Sequence, residues 1–174
     1  MVYPKTVTIV EVGPRDGFQS IKPWIETEDK ISTCKALLEA GVPLLECTSF
    51  ISPKAIPQMK DAAEVSEALL AIPGAEERLL ALVGNKKGAD RAAAAGIKKI
   101  AMVISASPEH NKNNVNKTPA ESLDELRATI EAHPDLHIKM DLATAFGCPF
   151  RGEVTMGEIT FVLDGVIEAG VRDI

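Results

Sequence analysis

Residues 7–19 read Val-Thr-Ile-Val-Glu-Val-Gly-Pro-Arg-Asp-Gly-Phe-Gln, an apolar run followed directly by a charged turn. β-Branched residues fill Val7–Val10 almost without a break, which predicts a buried β-strand there. Gly13-Pro14 ends that strand, because proline has no N–H to donate and glycine tolerates the dihedral angles of a turn. The sequence therefore places Arg15 and Asp16 just beyond the carboxyl end of the first strand.

The position of this Arg-Asp pair favours a functional site over a plain surface turn. In α/β enzymes, the residues that carry the chemistry lie at the carboxyl ends of buried parallel strands. A surface turn with a local ion pair is the alternative, and it would be preferred for an arbitrary Arg-Asp. Three features favour a site here: the preceding strand, the Gly-Pro break, and Glu11 two positions before Gly13.

The rest of the chain repeats a helix followed by a short apolar strand. Similar helix exits that contain glycine recur at residues 39–42, 94–97 and 168–171, as expected where a helix ends before a strand. The predicted strands are Val7–Val10, Leu44–Cys47, Arg78–Val83, Lys99–Ile104 and His137–Leu142, with another beginning at Val171. The predicted helices are Thr27–Glu39, Asp61–Ile72, Lys87–Ala95, Pro119–Ala132 and Thr155–Glu168, the first with the Thr27 hydroxyl as its cap.

This alternation predicts an α/β fold with a parallel sheet. An open doubly wound sheet usually carries a glycine-rich phosphate loop after its first strand. No such loop follows Val10, so the sequence favours a TIM (β/α)8 barrel. A closed barrel takes about 250 residues, whereas this chain has 174 and ends as a strand begins. We therefore expect residues 1–174 to be the N-terminal part, truncated to about the first five βα units, of a single (β/α)8 barrel catalytic domain.

Composition and charge disfavour several classes of partner. The net charge of −6 argues against nucleic acid and anionic membranes, because both require clustered lysine and arginine. No apolar run approaches the ~20 residues of a membrane span, and Met1–Lys5 does not resemble a secretory signal. Cys34, Cys47 and Cys148 are widely spaced and odd in number, which is typical of reduced thiols. We therefore expect a cytoplasmic protein.

The segment at residues 11–19, Glu-Val-Gly-Pro-Arg-Asp-Gly-Phe-Gln, resembles the first-strand signature of the hydroxymethylglutaryl-CoA lyase family. A wider group of metal-dependent TIM barrels, which make or break carbon–carbon bonds, shares only the Arg-Asp-Gly part. Three later stretches also resemble the narrower family: ECTSFISPK at residues 46–54, NNVNKT at residues 113–118, and AFGCPF at residues 145–150. The resemblance extends from about Val7 to Ile174.

The resemblance implies a reaction and a role for each charged residue. Members of this family cleave 3-hydroxy-3-methylglutaryl-CoA to acetyl-CoA and acetoacetate in a retro-Claisen reaction of leucine degradation. A divalent metal, Mg²⁺ or Mn²⁺, lowers the pKa of the substrate hydroxyl, and a guanidinium stabilises the enolate. By this resemblance Asp16 is the metal ligand and Arg15 contacts the substrate and stabilises its charge. Glu11 and Glu46 would orient these two groups or relay protons.

The resemblance also implies contacts to an acyl-CoA substrate at the carboxyl ends of the strands. The residues expected to make them, besides Arg15, are Gln19, Ser49, Asn85, Ser105 and Thr144. Asn111–Asn116 is expected to be a polar loop at the same rim, with His110 in the polar loop directly before it. Cys148 is expected to have a packing role. A homo-oligomer is expected for the full-length protein.

Parts of the family's site do not occur in this sequence. Its other metal ligands are a His-x-His pair and a later asparagine, and a catalytic cysteine lies on a mobile glycine-rich loop. We therefore expect the 174 residues alone to be inactive. Two alternatives remain open: a related lyase or condensing enzyme acting on another 3-hydroxyacyl-CoA, and a non-catalytic half-barrel that pairs with another chain.

Overall fold

The computed structural model describes residues 5–174, in which strands and helices alternate as the sequence predicts. Residues 1–4, part of the segment that does not resemble a secretory signal, lie outside the described residues. The strands are β1 (Val10–Glu11), β2 (Leu44–Ser49), β3 (Leu79–Leu82), β4 (Lys99–Ser105) and β5 (His137–Ala143). The helices are α1 (Thr27–Glu39), α2 (Ala62–Leu70), α3 (Lys86–Ala94), α4 (Pro108–Val115), α5 (Pro119–Ala132) and α6 (Met156–Glu168). Within residues 5–174, no helix is long and apolar enough to span a membrane.

The chain divides into two compact units. The first unit comprises the described residues up to Leu82 together with Arg91–Lys98. The second unit comprises Val83–Asp90 and Lys99–Ile174. In the first unit, β1 pairs in parallel with β2, and β2 pairs in parallel with β3. Leu45 and Leu79 on these strands are at most 1% exposed, and burial of such a side chain contributes roughly 1.5–3 kcal/mol.

The first strand differs from its prediction. Only Val10 and Glu11 are in the sheet, and Val7 and Ile9 are 81% and 64% exposed. The prediction of a buried strand over Val7–Val10 is therefore wrong. The reason lies in the register: Val10 is opposite Leu44, the first residue of β2, so the residues before Val10 have no partner on that strand.

Helix α1 begins where predicted but with a different cap. Glu26 occupies the cap position, and the Thr27 hydroxyl instead donates a hydrogen bond to Asp61 at 2.9 Å. The helix buries Lys30 together with Cys34 and Leu38. The periodicity of apolar residues gave no indication of a buried lysine, because the ion pair that makes its burial possible involves a residue 31 positions away.

In the second unit, β4 and β5 pair in parallel over seven residues, from Lys99 opposite His137 to Ser105 opposite Ala143. The start of a further strand, predicted at Val171, is seen as a single parallel bridge from Asp173 to Lys139. Helices α5 and α6 begin at capping boxes, in which Thr118 pairs with Glu121 and Thr155 with Glu158. Both helix starts agree with the prediction.

Helix α4 corrects the prediction of a polar loop over Asn111–Asn116. Ser107 caps the helix by accepting a hydrogen bond from the His110 N–H, and Pro108 follows at the first position, where proline is favoured. Asn111 is fully buried: its Oδ1 accepts from the Ser105 N–H at 2.9 Å, and its Nδ2 donates to the Lys117 carbonyl and the Ser122 hydroxyl. Its side chain therefore stabilises the second unit from inside.

Replacing Asn111 with alanine is expected to lower the free energy of unfolding by about 3 kcal/mol, because buried polar groups lose their partner. Asn113→Ala on the exposed side of the same helix is the matched control and should change stability by less than about 0.5 kcal/mol. Urea denaturation followed by circular dichroism measures both. Equal effects of the two substitutions would contradict the assigned role of Asn111.

Candidate active site

A turn of π-helix over Gly13–Gly17 follows β1 and positions its charged residues. The N–H groups of Arg15 and Asp16 both donate to the Val12 carbonyl, at 3.0 and 2.7 Å. Oε1 of Glu11 accepts the Gly13 N–H at 2.7 Å. A Cβ at Gly13 would lie 2.8 Å from that oxygen, so a larger residue there would displace the Glu11 carboxylate. Glu11 thus fixes the start of the turn.

The Arg15 guanidinium lies between two carboxylates. Its Nε donates to Oε1 of Glu46, and its Nη1 donates to Oδ1 of Asp16 at 2.7 Å. The Glu46 side chain is 2% exposed and that of Arg15 is 12% exposed. A carboxylate buried at the end of an apolar strand needs a cationic partner, and Arg15 provides one for Glu46.

An irregularity in β2 lies next to Glu46. The register against β3 shifts between Glu46, which is opposite Leu80, and Thr48, which is opposite Ala81. Cys47 is therefore an extra residue on β2, a β-bulge of the kind that re-aims side chains near active sites. Burial raises the pKa of the Cys47 thiol, which keeps it neutral beside the ion pair.

Asp16 and Gln19 form the exposed end of this group. The Asp16 side chain is 59% exposed, and its Oδ1 accepts a second hydrogen bond, from Nε2 of Gln19 at 2.8 Å. Glu46, Arg15, Asp16 and Gln19 thus form one connected chain of hydrogen bonds from a buried carboxylate to solvent. The structure brings together these four of the predicted residues, with Glu11 at the base of the same turn.

Ser49 and Asn85 make local contacts to the backbone. Ser49 is fully buried, and its hydroxyl accepts the Ile51 N–H at 3.2 Å. Asn85 is exposed, and its Oδ1 accepts the Gly88 N–H at 2.9 Å at the start of α3. These contacts occupy one polar atom of each side chain, and their predicted role toward a substrate remains a prediction.

Ser105 and Thr144 lie in the second unit, each with a specific partner. The Ser105 hydroxyl is fully buried and 2.7 Å from Nδ1 of His110. Thr144 has φ of +61°, a left-handed conformation that is uncommon for a β-branched residue. Its hydroxyl accepts the Ser107 N–H at 3.0 Å, which helps to hold this strained backbone in place.

Cys148, expected to have a packing role, is buried and also has a polar partner. The Ser107 hydroxyl lies 3.1 Å from its Sγ. Burial opposes ionisation of the Cys148 thiol, but hydrogen bonds from Ser107 and from the N–H groups of Phe150 and Arg151 outweigh it and lower its pKa. The thiol is thus more acidic than those of Cys34 and Cys47, whose pKa values are raised by burial.

Among the polar contacts of the second unit that sequence reasoning missed, two involve its strands. One is the Ser105–His110 pair, because His110 was expected in a loop whereas α4 brings it back to the end of β4. The other is an ion pair on β5 between Lys139 and Asp141. A signal for the second was available: polar residues two positions apart in a strand lie on the same face.

The described residues only partly fit a divalent metal site. Asp16 offers a carboxylate, which suits a hard cation such as Mg²⁺, and no hydrogen bond to its Oδ2 is found within residues 5–174. In that same range, no group of three or more His, Cys, Asp or Glu side chains is arranged to hold a metal ion. The chain thus offers one candidate ligand and not a complete site.

Comparison with known proteins identifies the family. The HMGL-like family model matches residues 6–174. The hydroxymethylglutaryl-CoA lyase of Bacillus subtilis is 38% identical over 176 residues, which cover 100% of this chain and 58% of the relative. The human mitochondrial hydroxymethylglutaryl-CoA lyase is 36% identical over 98% of this chain and 53% of its own length. This chain therefore spans a little over half the length of these curated relatives.

Solved structures agree with this result. The crystal structure of the Bacillus subtilis HMG-CoA lyase superposes with a TM-score of 0.89 over 98% of this chain and 57% of that protein, at 38% identity. An HMG-CoA lyase of Acinetobacter baumannii, solved in complex with coenzyme A and 3-methylmalate, gives a TM-score of 0.87 at 33% identity over 94% of this chain. These matches confirm the predicted fold class, an α/β chain corresponding to part of a TIM barrel. The chain belongs to the HMGL-like family.

Proposed function

We propose that this chain, within a polypeptide of the length of its relatives, is a carbon–carbon lyase that cleaves 3-hydroxy-3-methylglutaryl-CoA to acetyl-CoA and acetoacetate. The observation that carries this proposal is the Arg15 guanidinium, fixed between the carboxylates of Glu46 and Asp16. Family membership supports it, since the relatives are named hydroxymethylglutaryl-CoA lyases. The acyl-CoA partner is supported by the Acinetobacter relative, which was solved with coenzyme A.

Arg15 is proposed to stabilise the thioester enolate. Charge develops on the thioester oxygen as the carbon–carbon bond breaks, and a guanidinium already held in place stabilises it without reorganisation. Glu46 holds that guanidinium through Nε, while Glu11 fixes the turn from which Arg15 extends. Both glutamates therefore act on the reaction through Arg15. A role in relaying protons is proposed for the same carboxylates, as the family resemblance implies.

Asp16 is proposed as one ligand of a divalent metal, Mg²⁺ or Mn²⁺. Such a cation, when bound, lowers the pKa of the substrate hydroxyl and orients the substrate. Asp16 suits this role because its side chain is 59% exposed and is held by Arg15 and Gln19 through one oxygen. Gln19, Ser49, Asn85, Ser105 and Thr144 are proposed as substrate contacts. We further propose a single catalytic domain, a homo-oligomer and a cytoplasmic location.

Turnover by the full-length protein tests this proposal. The purified protein is given 3-hydroxy-3-methylglutaryl-CoA with Mg²⁺ or Mn²⁺, and acetoacetate and acetyl-CoA are measured together. A second series replaces the substrate with other 3-hydroxyacyl-CoA thioesters. We expect equal amounts of the two products and the highest kcat/KM for the hydroxymethylglutaryl thioester. Faster cleavage of another thioester, or no cleavage of any, would contradict the proposal.

A further inference from the structure

A buried glutamine holds the loop that joins the charged turn to α1. Gln58 is 5% exposed and makes three hydrogen bonds to the backbone of residues 21–25. Its Nε2 donates to the carbonyls of Ile21 and Pro23, at 2.9 and 2.8 Å, and its Oε1 accepts the Ile25 N–H at 3.1 Å. One side chain thus satisfies three backbone groups of a segment that has no regular secondary structure.

An ion pair fixes Gln58 in turn. The Lys30 ammonium donates to the Gln58 carbonyl at 2.6 Å and to both oxygens of Asp61, at 3.0 and 2.8 Å. The side chains of Lys30 and Asp61 are 4% and 5% exposed, so this pair is removed from solvent screening. A buried charge that loses its partner is strongly destabilising, so Lys30 and Asp61 are expected to stay in contact and to keep Gln58 in place.

Trp24, in the same loop, makes cation–π contacts with two lysines. The Trp24 ring has the Lys30 ammonium 3.7 Å and the Lys60 ammonium 4.1 Å from its centroid. Cation–π contacts of this kind are attractive because the negative face of the ring meets a positive charge. A cleft of about 450 Å³ is lined on one side by loop residues that include Gln19 and Lys22, and on the other by Pro57, Gln58 and Lys60. The loop is therefore tied at Ile21, Pro23, Trp24 and Ile25.

We infer that Gln58 is a positioning residue for the active site, which acts by holding this loop so that Gln19 stays bound to Asp16. Gln19 is two residues before Ile21, the first residue that Gln58 holds, and its Nε2 donates to Oδ1 of Asp16 at 2.8 Å. Gln58 would thus act on Asp16 indirectly, through its hydrogen bond to Ile21 and through the hydrogen bond from Gln19 to Asp16. The inference rests on the proposed function, since Asp16 and Arg15 are the groups whose orientation it serves.

The decisive substitution is Gln58→Met in the full-length protein, which keeps the length of the side chain and removes all three hydrogen bonds to the loop. Ser66→Ala is the matched control, because within residues 5–174 the buried Ser66 hydroxyl donates only to the Ala62 carbonyl of the same helix, α2. We expect Gln58→Met to lower kcat/KM at least about tenfold, since small misplacements of catalytic groups have effects of this size. Ser66→Ala should leave kcat/KM close to wild type.

Gln58→Met could lower kcat/KM either by misplacing Gln19 or by destabilising the whole protein. A comparison of single and double variants separates these two explanations, because general destabilisation would have the same effect whether or not Gln19 is present. In a Gln19→Leu background, adding Gln58→Met should reduce kcat/KM far less than it does in wild type, because the contact it protects is already gone. Gln58→Glu, which keeps the acceptor for Ile25 and loses both donated bonds, provides a second variant if Gln58→Met does not fold. Gln58→Glu is also expected to lower kcat/KM.

The fluorescence of Trp24 measures the loop without reference to activity. Subtracting the spectrum of a Trp24→Phe version isolates its signal, and acrylamide quenching of Trp24 should increase in Gln58→Met but not in Ser66→Ala. Unchanged quenching, or the full kcat/KM loss persisting in the Gln19→Leu background, would overturn the inference. If the full-length protein cleaves no thioester, the proposed function fails, and the quenching result alone then decides whether Gln58 holds the loop.

Discussion

Arg15→Met in the full-length protein is expected to lower kcat by about 10³-fold, while the affinity for the divalent metal changes little. Removal of one oxyanion-stabilising donor costs about 10²–10³ in kcat, and here a full positive charge is removed as well. Because the charge acts on an enolate that exists in the transition state and not in the free enzyme, kcat should fall with kcat/KM. Steady-state kinetics with a metal titration measures both quantities.

A control is needed because Arg15 also neutralises Glu46, whose side chain is 2% exposed. Loss of the cation next to a buried carboxylate destabilises a protein by roughly 3–5 kcal/mol, so a loss of activity by unfolding has to be separated from a loss of catalysis. Adding Glu46→Gln removes the carboxylate charge and should restore much of the stability, measured by thermal denaturation. We expect the double variant to remain inactive. Recovery of turnover in it would remove Arg15 from its catalytic role.

Asp16→Ala is expected to raise the half-saturating concentration of Mg²⁺ or Mn²⁺ by about 100-fold or more. Loss of residues that merely support a metal ligand typically costs 10–100-fold in affinity, and Asp16 is proposed to be a ligand itself. The measurement is isothermal titration of the metal-free protein with Mn²⁺. Asp29→Ala, which removes an exposed carboxylate from the first turn of α1, is the control. Equal affinities in the two variants would show that Asp16 does not bind the metal.

Much of the fold was predictable because its signals are local. The starts of α5 and α6 were predictable from threonine followed three residues later by glutamate, which satisfies the first N–H groups of each helix. The end of α1 was predictable from Gly41, whose φ of +88° few other residues adopt. The extent of β1 was not, because it depends on where β2 begins, and that is set by tertiary structure rather than by the β-branched run.

The part of the candidate site that was predictable from the sequence is the ion pair, because a buried charge requires a partner of opposite charge. A glutamate at the end of the apolar strand β2 needs a partner such as Arg15 or another cation, and the structure contains the Arg15–Glu46 pair. Gln58 and the Ser105–His110 pair were missed for the opposite reason. Their partners are backbone groups and an imidazole, and neither glutamine nor serine indicates by its identity whether its side chain points to backbone or solvent.

A crystal structure of the full-length protein with Mg²⁺ and an unreactive hydroxymethylglutaryl thioester analogue would show directly whether Asp16 and Arg15 have the proposed roles. We expect an Asp16 carboxylate oxygen about 2.1 Å from the metal. We also expect a guanidinium nitrogen of Arg15 about 3 Å from the thioester oxygen, with Nε still bound to Glu46. A thioester bound away from Arg15, or a metal held entirely by other residues, would contradict these roles.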